Sequence, residues 1–486
     1  MIYTEMDLVG QFILCQKKNQ ITKSWQTYQF GEWLLGSHPK LPVIDIIGKD
    51  DFHVGWLLGY PISLDGELIN SRLVFNISIN EPNPDKFENQ LYSHGGRFAA
   101  VYFGGPQARF YLDPCGSLAA VFSPRHKIVA STPTLIPYSL GCDDDHKLIE
   151  SMIIPGCDCC YPFGLTPRRY VKRLLPNHYL DLNSWKSMRH WPMKEFIQIQ
   201  DIKGSVQEFA TILRNQIAAV AHQGPFYLPL TGGRDSRLLL ACSRNVLEKC
   251  HCFTIKHLTK SGKIDCQIVK KLCRRFNLPH KLLDVEQCSQ EDWNLFRFRT
   301  GWCVEGQSLG NVKRLSQLDT NFPILFGVGG ELGRPFHWRR GDIESSLISA
   351  KDLVQRITGW LHTDIGDKIQ REAQKWLETI PVQNALTIWG LLYNEQYNGC
   401  WIGPKEYALA SNSFSIWPFC HRSAIEIMLS LPADYRQKLQ FVYDVIESQW
   451  LELLKFPFNW PTGWRRVALG IHRAKSTFRR KLLHYQ

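Results

Sequence analysis

A chain of 486 residues exceeds what one hydrophobic core fills, so two domains or three are expected. With 44% hydrophobic and 21% charged residues the composition is that of a folded globular protein, and no apolar run of about eighteen residues offers a membrane-spanning helix. The net charge of +12 is compatible with nucleic acid, an anionic surface or a phosphorylated substrate, and does not choose among them.

Glu5 and Asp7 stand where an export leader would carry Lys or Arg, so a cytoplasmic location is expected. In that setting fifteen cysteines, an odd number, read as reduced thiols rather than a disulfide framework. The cluster Cys157-Asp158-Cys159-Cys160 lacks a second pair at ligand spacing, so no structural zinc is expected there.

The first 195 residues predict a β-rich domain. Short strand-like segments at 97–103, 108–112, 119–122 and 127–130 alternate with the turn signals Gly104-Gly105-Pro106, Asp113-Pro114-Cys115-Gly116 and Ser123-Pro124-Arg125. The pattern changes near residue 200. Val206, Phe209, Leu213, Ile217 and Val220 mark one face of a helix, and Phe226 to Leu230 follow as an apolar strand. Next come a glycine loop, a helix running to about Cys250, a strand at 252–255, a helix at 266–276, and strands at 281–285 and 323–326. Such alternation predicts a parallel sheet with helices on both faces. Beyond 345 the chain reads as mostly helical. At its end Trp464, Val467, Ile471, Ala474, Phe478 and Leu482 fall at helical spacing with a basic back, suited to docking on the protein's own body or to a peripheral membrane or partner contact.

The chemistry centres on Thr231-Gly232-Gly233-Arg234-Asp235-Ser236. A loop leaving the carboxyl end of a parallel strand is the natural ligand position in such a sheet. Glycines let the backbone approach a ligand, the next helix offers its positive N-terminus, Thr231 and Ser236 supply hydroxyls, and Asp235 can hold magnesium against phosphate oxygens. Neither GxxxxGK[ST] nor GxGxxG is present in this loop. Gly327-Val328-Gly329-Gly330-Glu331 is a second glycine-rich acidic loop after a second strand. Together the two predict a nucleotide site, with Thr231, Gly232, Gly233, Asp235, Ser236, Gly327 and Gly329 around the nucleotide and Asp235 and Glu331 as Mg2+ ligands.

These residues resemble the PP-loop ATP pyrophosphatases, specifically the asparagine synthetase family, whose SGGxDS signature matches 231–236 with threonine for the first serine. Asp265 matches the acid that the family carries ahead of the next helix, and His280 the histidine after it. Trp417-Pro418-Phe419-Cys420-His421-Arg422 with Leu431-Pro432 is similar to the family's proline-phenylalanine segment and the "LP" after it. In the first domain Gly96-Arg97-Phe98-Ala99, Asp113 to Gly116 and the segments 175–180 and 190–192 resemble the glutaminase half.

The resemblance implies an α/β fold combined with α+β. An Ntn-hydrolase-like sandwich, a degenerate glutamine amidotransferase, would span 1–195, and a PP-loop domain with a helical C-terminal part would span 200–486. It also implies an ATP- and Mg2+-dependent ligase that adenylates a small-molecule or peptide carboxylate and passes it to an amine. Asp235, Glu331, Arg436 and Lys438 are its candidate catalytic residues, the last two as cations near the phosphates. Two departures shape the expectation. Residue 2 is Ile2, where the glutaminase needs a cysteine nucleophile, and the first cysteine is Cys15, so no glutamine hydrolysis is expected. Val328 stands where asparagine synthetases place an acid between the glycines, which puts aspartate as substrate in question. A homodimer without nucleic acid is the expected assembly. A tRNA-modifying PP-loop enzyme and a non-catalytic scaffold of the same fold are the alternatives, and salt-dependent tRNA binding would mark the first.

Overall fold

The computed structural model describes residues 4, 7–78, 83–104, 107–152, 158–306, 308–357, 364–409 and 414–458. The basic C-terminal segment read from Trp464 onward, Cys157 and Ile2 therefore lie outside the described residues.

The organising element of the first domain is the strand Gly95–Gly104, apolar on both of its alternating faces. Ala99, Val101 and Phe103 join Phe12, Leu14, Leu35, Phe122 and Val129 in one buried cluster, while Phe98, Ala100 and Tyr102 pack with Phe87 and Leu91 in another. A strand buried on both sides must lie between layers. Among the described residues it sits inside a seven-stranded sheet stacked on a six-stranded one, with the helix Pro84–Leu91 covering the outer face. Asn83 starts that helix by accepting from the Lys86 amide, and Pro84 takes the first helical position. The mixed α/β architecture therefore opens with a β-sandwich, whose last strand is Ser187–Arg189. The four strands read from this region's sequence all form, within one or two residues.

The second layer begins at helix α1 (Ile202–Gln223), capped by Asp201. Its face Val206, Phe209, Leu213, Ile217 and Val220 is buried, as the spacing requires. Strand β1 (Phe226–Pro229) leads through the first glycine loop into helix α2 (Arg234–Cys242), and a separate 3-10 segment, Arg244–Lys249, follows where the sequence suggested one longer helix. Then come β2 (Cys250–Ile255), α3 (Lys260–Phe276) and β3 (His280–Leu283), and later the short strands β4 (Ile324–Leu325) and β5 (Ser415–Ile416). Helix α3 starts six residues earlier than the sequence reading because Thr259 accepts from the Gly262 amide and caps it. Asp265 therefore lies inside α3 and not ahead of it.

All pairings in this sheet are parallel, in the order β3-β2-β1-β4-β5. The order reverses direction between β1 and β4. Beyond the carboxyl ends of two such strands the outgoing loops diverge to opposite faces and leave a crevice. Both glycine loops leave from these two strands.

Behind the sheet a helical layer ties the two parts of the chain together. Tyr393–Ile402 form a π-helix, and its Glu395 is fully buried. Arg189 of the sandwich donates to both Glu395 oxygens at 2.6 and 2.8 Å, Asn177 to one at 2.8 Å, and the Trp376 indole to the other at 2.6 Å. Burial pushes this carboxyl upward, but Arg189 and the other donors outweigh burial and hold it below the ordinary glutamate range.

Candidate functional site

The first loop is pinned by its own side chains. Ser236 Oγ accepts from the Thr231 amide at 3.2 Å and lies 3.1 Å from Thr231 Oγ1, which in turn accepts from the Gly233 amide at 3.0 Å. The Gly232 amide donates to Asp265 Oδ1 at 2.8 Å. His280 reaches the same region through Thr254, whose hydroxyl lies 2.9 Å from His280 Nε2 and donates to the Leu230 carbonyl at 2.7 Å. Gly233 is the N-cap of α2 and brings no side-chain cap, so the first amides of that helix lack a capping side chain. Asp235 sits in the first turn, where a carboxylate is favoured by the helix dipole but is not the capping group.

The second loop comes up against the first. A Cβ added at Gly327 would stand 3.3 Å from Asp235 Cβ, and one at Gly330 would stand 2.8 Å from Asp235 Oδ1. Gly329 has φ +99, and its ideal Cβ position is 3.0 Å from Phe419 Cβ and 3.9 Å from Cys115 Sγ. Phe419 belongs to the proline-phenylalanine segment and Cys115 to the Asp113–Gly116 turn of the sandwich. Both segments read in the sequence thus end beside the same loop.

This approach brings Asp235 and Glu331 to one guanidinium. Arg334 Nη2 pairs with Asp235 Oδ2 and lies 3.3 Å from Glu331 Oε1, and Nε lies 3.3 Å from Asp235 Oδ1. Burial and the Asp235 charge push the Glu331 carboxyl up to about 7, against the opposing pull of Arg334, and the Tyr393 hydroxyl faces it. The structure therefore unites Thr231, Gly232, Gly233, Asp235, Ser236, Gly327, Gly329 and Glu331. Arg436 comes from behind. It is 2% exposed, donates from Nη2 to the Leu332 carbonyl at 2.8 Å, stacks on Trp338, and burial lowers its pKa to about 9. Lys438 is not brought to the loops: it is exposed and paired with Asp434, 3.1 Å away and one helical turn back. Arg334 and Tyr393 carried no signal in the sequence, since neither lies in a recognisable motif.

Two carboxylates completed by phosphate oxygens are a donor set that suits magnesium. As arranged, however, these residues do not fit a protein-bound metal, because one Arg334 nitrogen already contacts both carboxylates. Among the described residues no group of three or more His, Cys, Asp or Glu side chains is placed to hold a metal ion. Cys159 and Cys160 form a two-residue strand against Val304 and Glu305, and the described cysteines form no disulfide. Cys15 is buried, and burial pushes its thiol up from the ordinary range. A cavity of 530 Å³ lies elsewhere, between the 163–175 segment and the helix Asp364–Glu378, and none of its lining residues belongs to either glycine loop. No helix among the described residues is long and apolar enough to cross a membrane.

No protein-family model and no curated protein matches this chain. Among solved structures it is similar to glutamine-dependent NAD+ synthetase from Acinetobacter baumannii in complex with adenosine diphosphate, at 15% identity and a TM-score of 0.16. The likeness covers 28% of this chain and 28% of that one.

Proposed function

We propose that the chain is an ATP-dependent, AMP-forming carbon–nitrogen ligase of the asparagine synthetase type that lacks glutaminase chemistry. One observation carries this reading: two glycine loops with acidic residues leave the adjacent parallel strands β1 and β4 where the strand order reverses, and their carboxylates converge. A crevice walled by a helix N-terminus and glycine backbone suits phosphate. The proposed reaction has two steps. A substrate carboxylate oxygen attacks the α-phosphorus of ATP, the bond to the β-phosphate bridging oxygen breaks, and pyrophosphate leaves. An amine then attacks the acyl-adenylate carbonyl, loses a proton and releases AMP, leaving an amide. The first amides of α2 would face the charge that develops on the departing pyrophosphate, and preorganised donors at such a position supply much of the rate. Cys15 lies buried in a strand, which suits a sandwich without glutamine hydrolysis.

A second reading, a scaffold that keeps the fold without turnover, has its own observation. The amides of Thr231, Gly232 and Gly233 are already satisfied by side chains, one of them the carboxylate of Asp265. Exchange of labelled pyrophosphate into ATP, measured over a panel of amino acids, peptides and sugar acids, separates the two. A ligase exchanges label with at least one carboxylate, and Asp235→Ala, which frees the Arg334 guanidinium from the position its carboxylate sets, lowers that rate about a hundred- to a thousandfold, the scale of misplacing one donor to developing charge. Absence of exchange together with absence of ATP binding would leave the scaffold. Because Gly233 and not Asp235 caps α2, a loss of exchange in Asp235→Ala would not be a lost helix cap, and undiminished exchange in the folded variant would remove Asp235 from the proposed site.

A further inference from the structure

The contact pattern around Arg334 is that of a bridging cation. A single nitrogen, Nη2, meets one carboxylate from each glycine loop, and Nε returns to Asp235. Nη1 takes part in none of these bonds. The guanidinium is not a stray surface group. The Asp235, Glu331 and Arg334 side chains are all no more than 20% exposed. The turn that carries Arg334 is fixed from behind: Arg436 holds the Leu332 carbonyl at 2.8 Å, and an added Cβ at Gly333 would stand 3.0 Å from the Phe441 ring. The Arg334 amide donates to the Glu331 carbonyl at 3.1 Å, which closes the turn and carries Glu331 and Arg334 on the same short segment.

Two carboxylates this close repel, and the repulsion is relieved either by a proton kept on one of them or by a positive charge between them. A divalent ion would supply it, but that ion and the Arg334 nitrogen compete for the same oxygens. A guanidinium also presents its remaining N–H groups in a planar fork that matches phosphate geometry, and it is never deprotonated at working pH.

We propose that Arg334 is the resident cation of the Asp235–Glu331 pair, holding the place of a divalent metal and offering Nη1 to a phosphate oxygen of the nucleotide. The nucleotide as the source of that phosphate rests on the function proposed above. The exclusion of metal from the carboxylate pair does not. Any magnesium taking part would arrive on the nucleotide and not on Asp235 and Glu331.

Two measurements on the full chain test this. In the first, Mn2+ is titrated into nucleotide-free protein and free ion is followed by electron paramagnetic resonance. Wild type should bind it no better than Asp235→Asn, whereas Arg334→Gln, which keeps bulk but not charge, should bind at least tenfold more tightly than wild type. Stoichiometric Mn2+ binding by wild type that disappears in Asp235→Asn would overturn the proposal without recourse to the variant at 334. So would a folded Arg334→Gln protein with no gain. In the second, a non-hydrolysable ATP analogue is titrated calorimetrically in EDTA and in excess Mg2+. Wild type should retain binding in EDTA, and Arg334→Gln should lose at least tenfold there. Binding by wild type only with Mg2+, unaffected by Arg334→Gln, would overturn it. If neither protein binds the analogue under either condition, the nucleotide reading fails, and the Mn2+ titration still decides which cation the carboxylates hold.

Discussion

Gly330 shows how little room the carboxylate crevice has. A methyl group there would come within 2.8 Å of Asp235 Oδ1, 3.0 Å of Asp235 Cγ and 3.1 Å of the Phe419 ring. Gly330→Ala should therefore displace Asp235 and press on the core only at the edge of the Phe419 ring. The expected result is at least a tenfold loss of ATP affinity by calorimetry with a melting temperature lowered by only a few degrees. An unchanged affinity would show that Asp235 does not face the ligand. Gly329 answers to a different constraint, since φ +99 is a conformation that L side chains rarely adopt and Phe419 crowds the Cβ position. Gly329→Ala should cost about 1–2 kcal/mol in urea unfolding. These glycines were legible as a loop, and the first loop's acid and hydroxyl as its chemistry. The partner that joins the two acids was not, because Gly333-Arg334-Pro335 carries no pattern that separates a bridging arginine from a solvated one.

At the scale of elements the π-helix Tyr393–Ile402 does two jobs with residues two apart. Tyr393 faces Glu331 at the crevice, and Glu395 collects Arg189, Asn177 and Trp376 at the seam with the sandwich. The wider i→i+5 turn changes which residues share a face, and such segments are frequent near functional sites. Glu395→Ala leaves Arg189 buried without its counter-ion and should destabilise the fold by roughly 3–5 kcal/mol at pH 7. The pH dependence follows from the direction of the shift. A carboxyl held below its ordinary value of 4.5 contributes stability that is present above that pH and is lost as pH falls through its folded value. The gap between wild type and Glu395→Ala in urea midpoints should thus be widest at pH 6–8 and shrink below about pH 4. A gap independent of pH would show that the carboxyl is not charged in the folded protein. None of this was readable in advance: Asn394-Glu395-Gln396 looks like a polar stretch of an exposed helix, and only the arriving Arg189 and Asn177 make it a core.

For the whole molecule, the seam predicts cooperativity. Asn394 Nδ2 donates to the Pro114 carbonyl at 2.8 Å, the Tyr407 hydroxyl to the Ala119 carbonyl at 2.5 Å, and Gln11 Nε2 to the Arg299 carbonyl at 2.9 Å. With these bonds and the Glu395 hub buried across the boundary, neither part can unfold without stranding polar groups of the other. Calorimetry should show one transition, and two well-resolved ones would mean that the parts are energetically independent.

The sequence by itself determined the β-rich first part, the alternation of strand and helix after residue 200, and the first glycine loop. Each is written in local terms: a period of two or of 3.6 in apolar residues, a capping side chain, a turn glycine. The apolar run 323–326 ahead of a glycine loop located β4, whereas the equally short Ser415–Ile416 has no glycine loop after it and stayed hidden among helices. What only the tertiary structure decided is which local features meet. The strand order that sets β1 beside β4, the arrival of Asp265 from inside α3, and the single Arg334 nitrogen between two carboxylates depend on contacts between residues tens of positions apart. Those contacts are fixed by packing of the assembled layers, which no window of sequence contains.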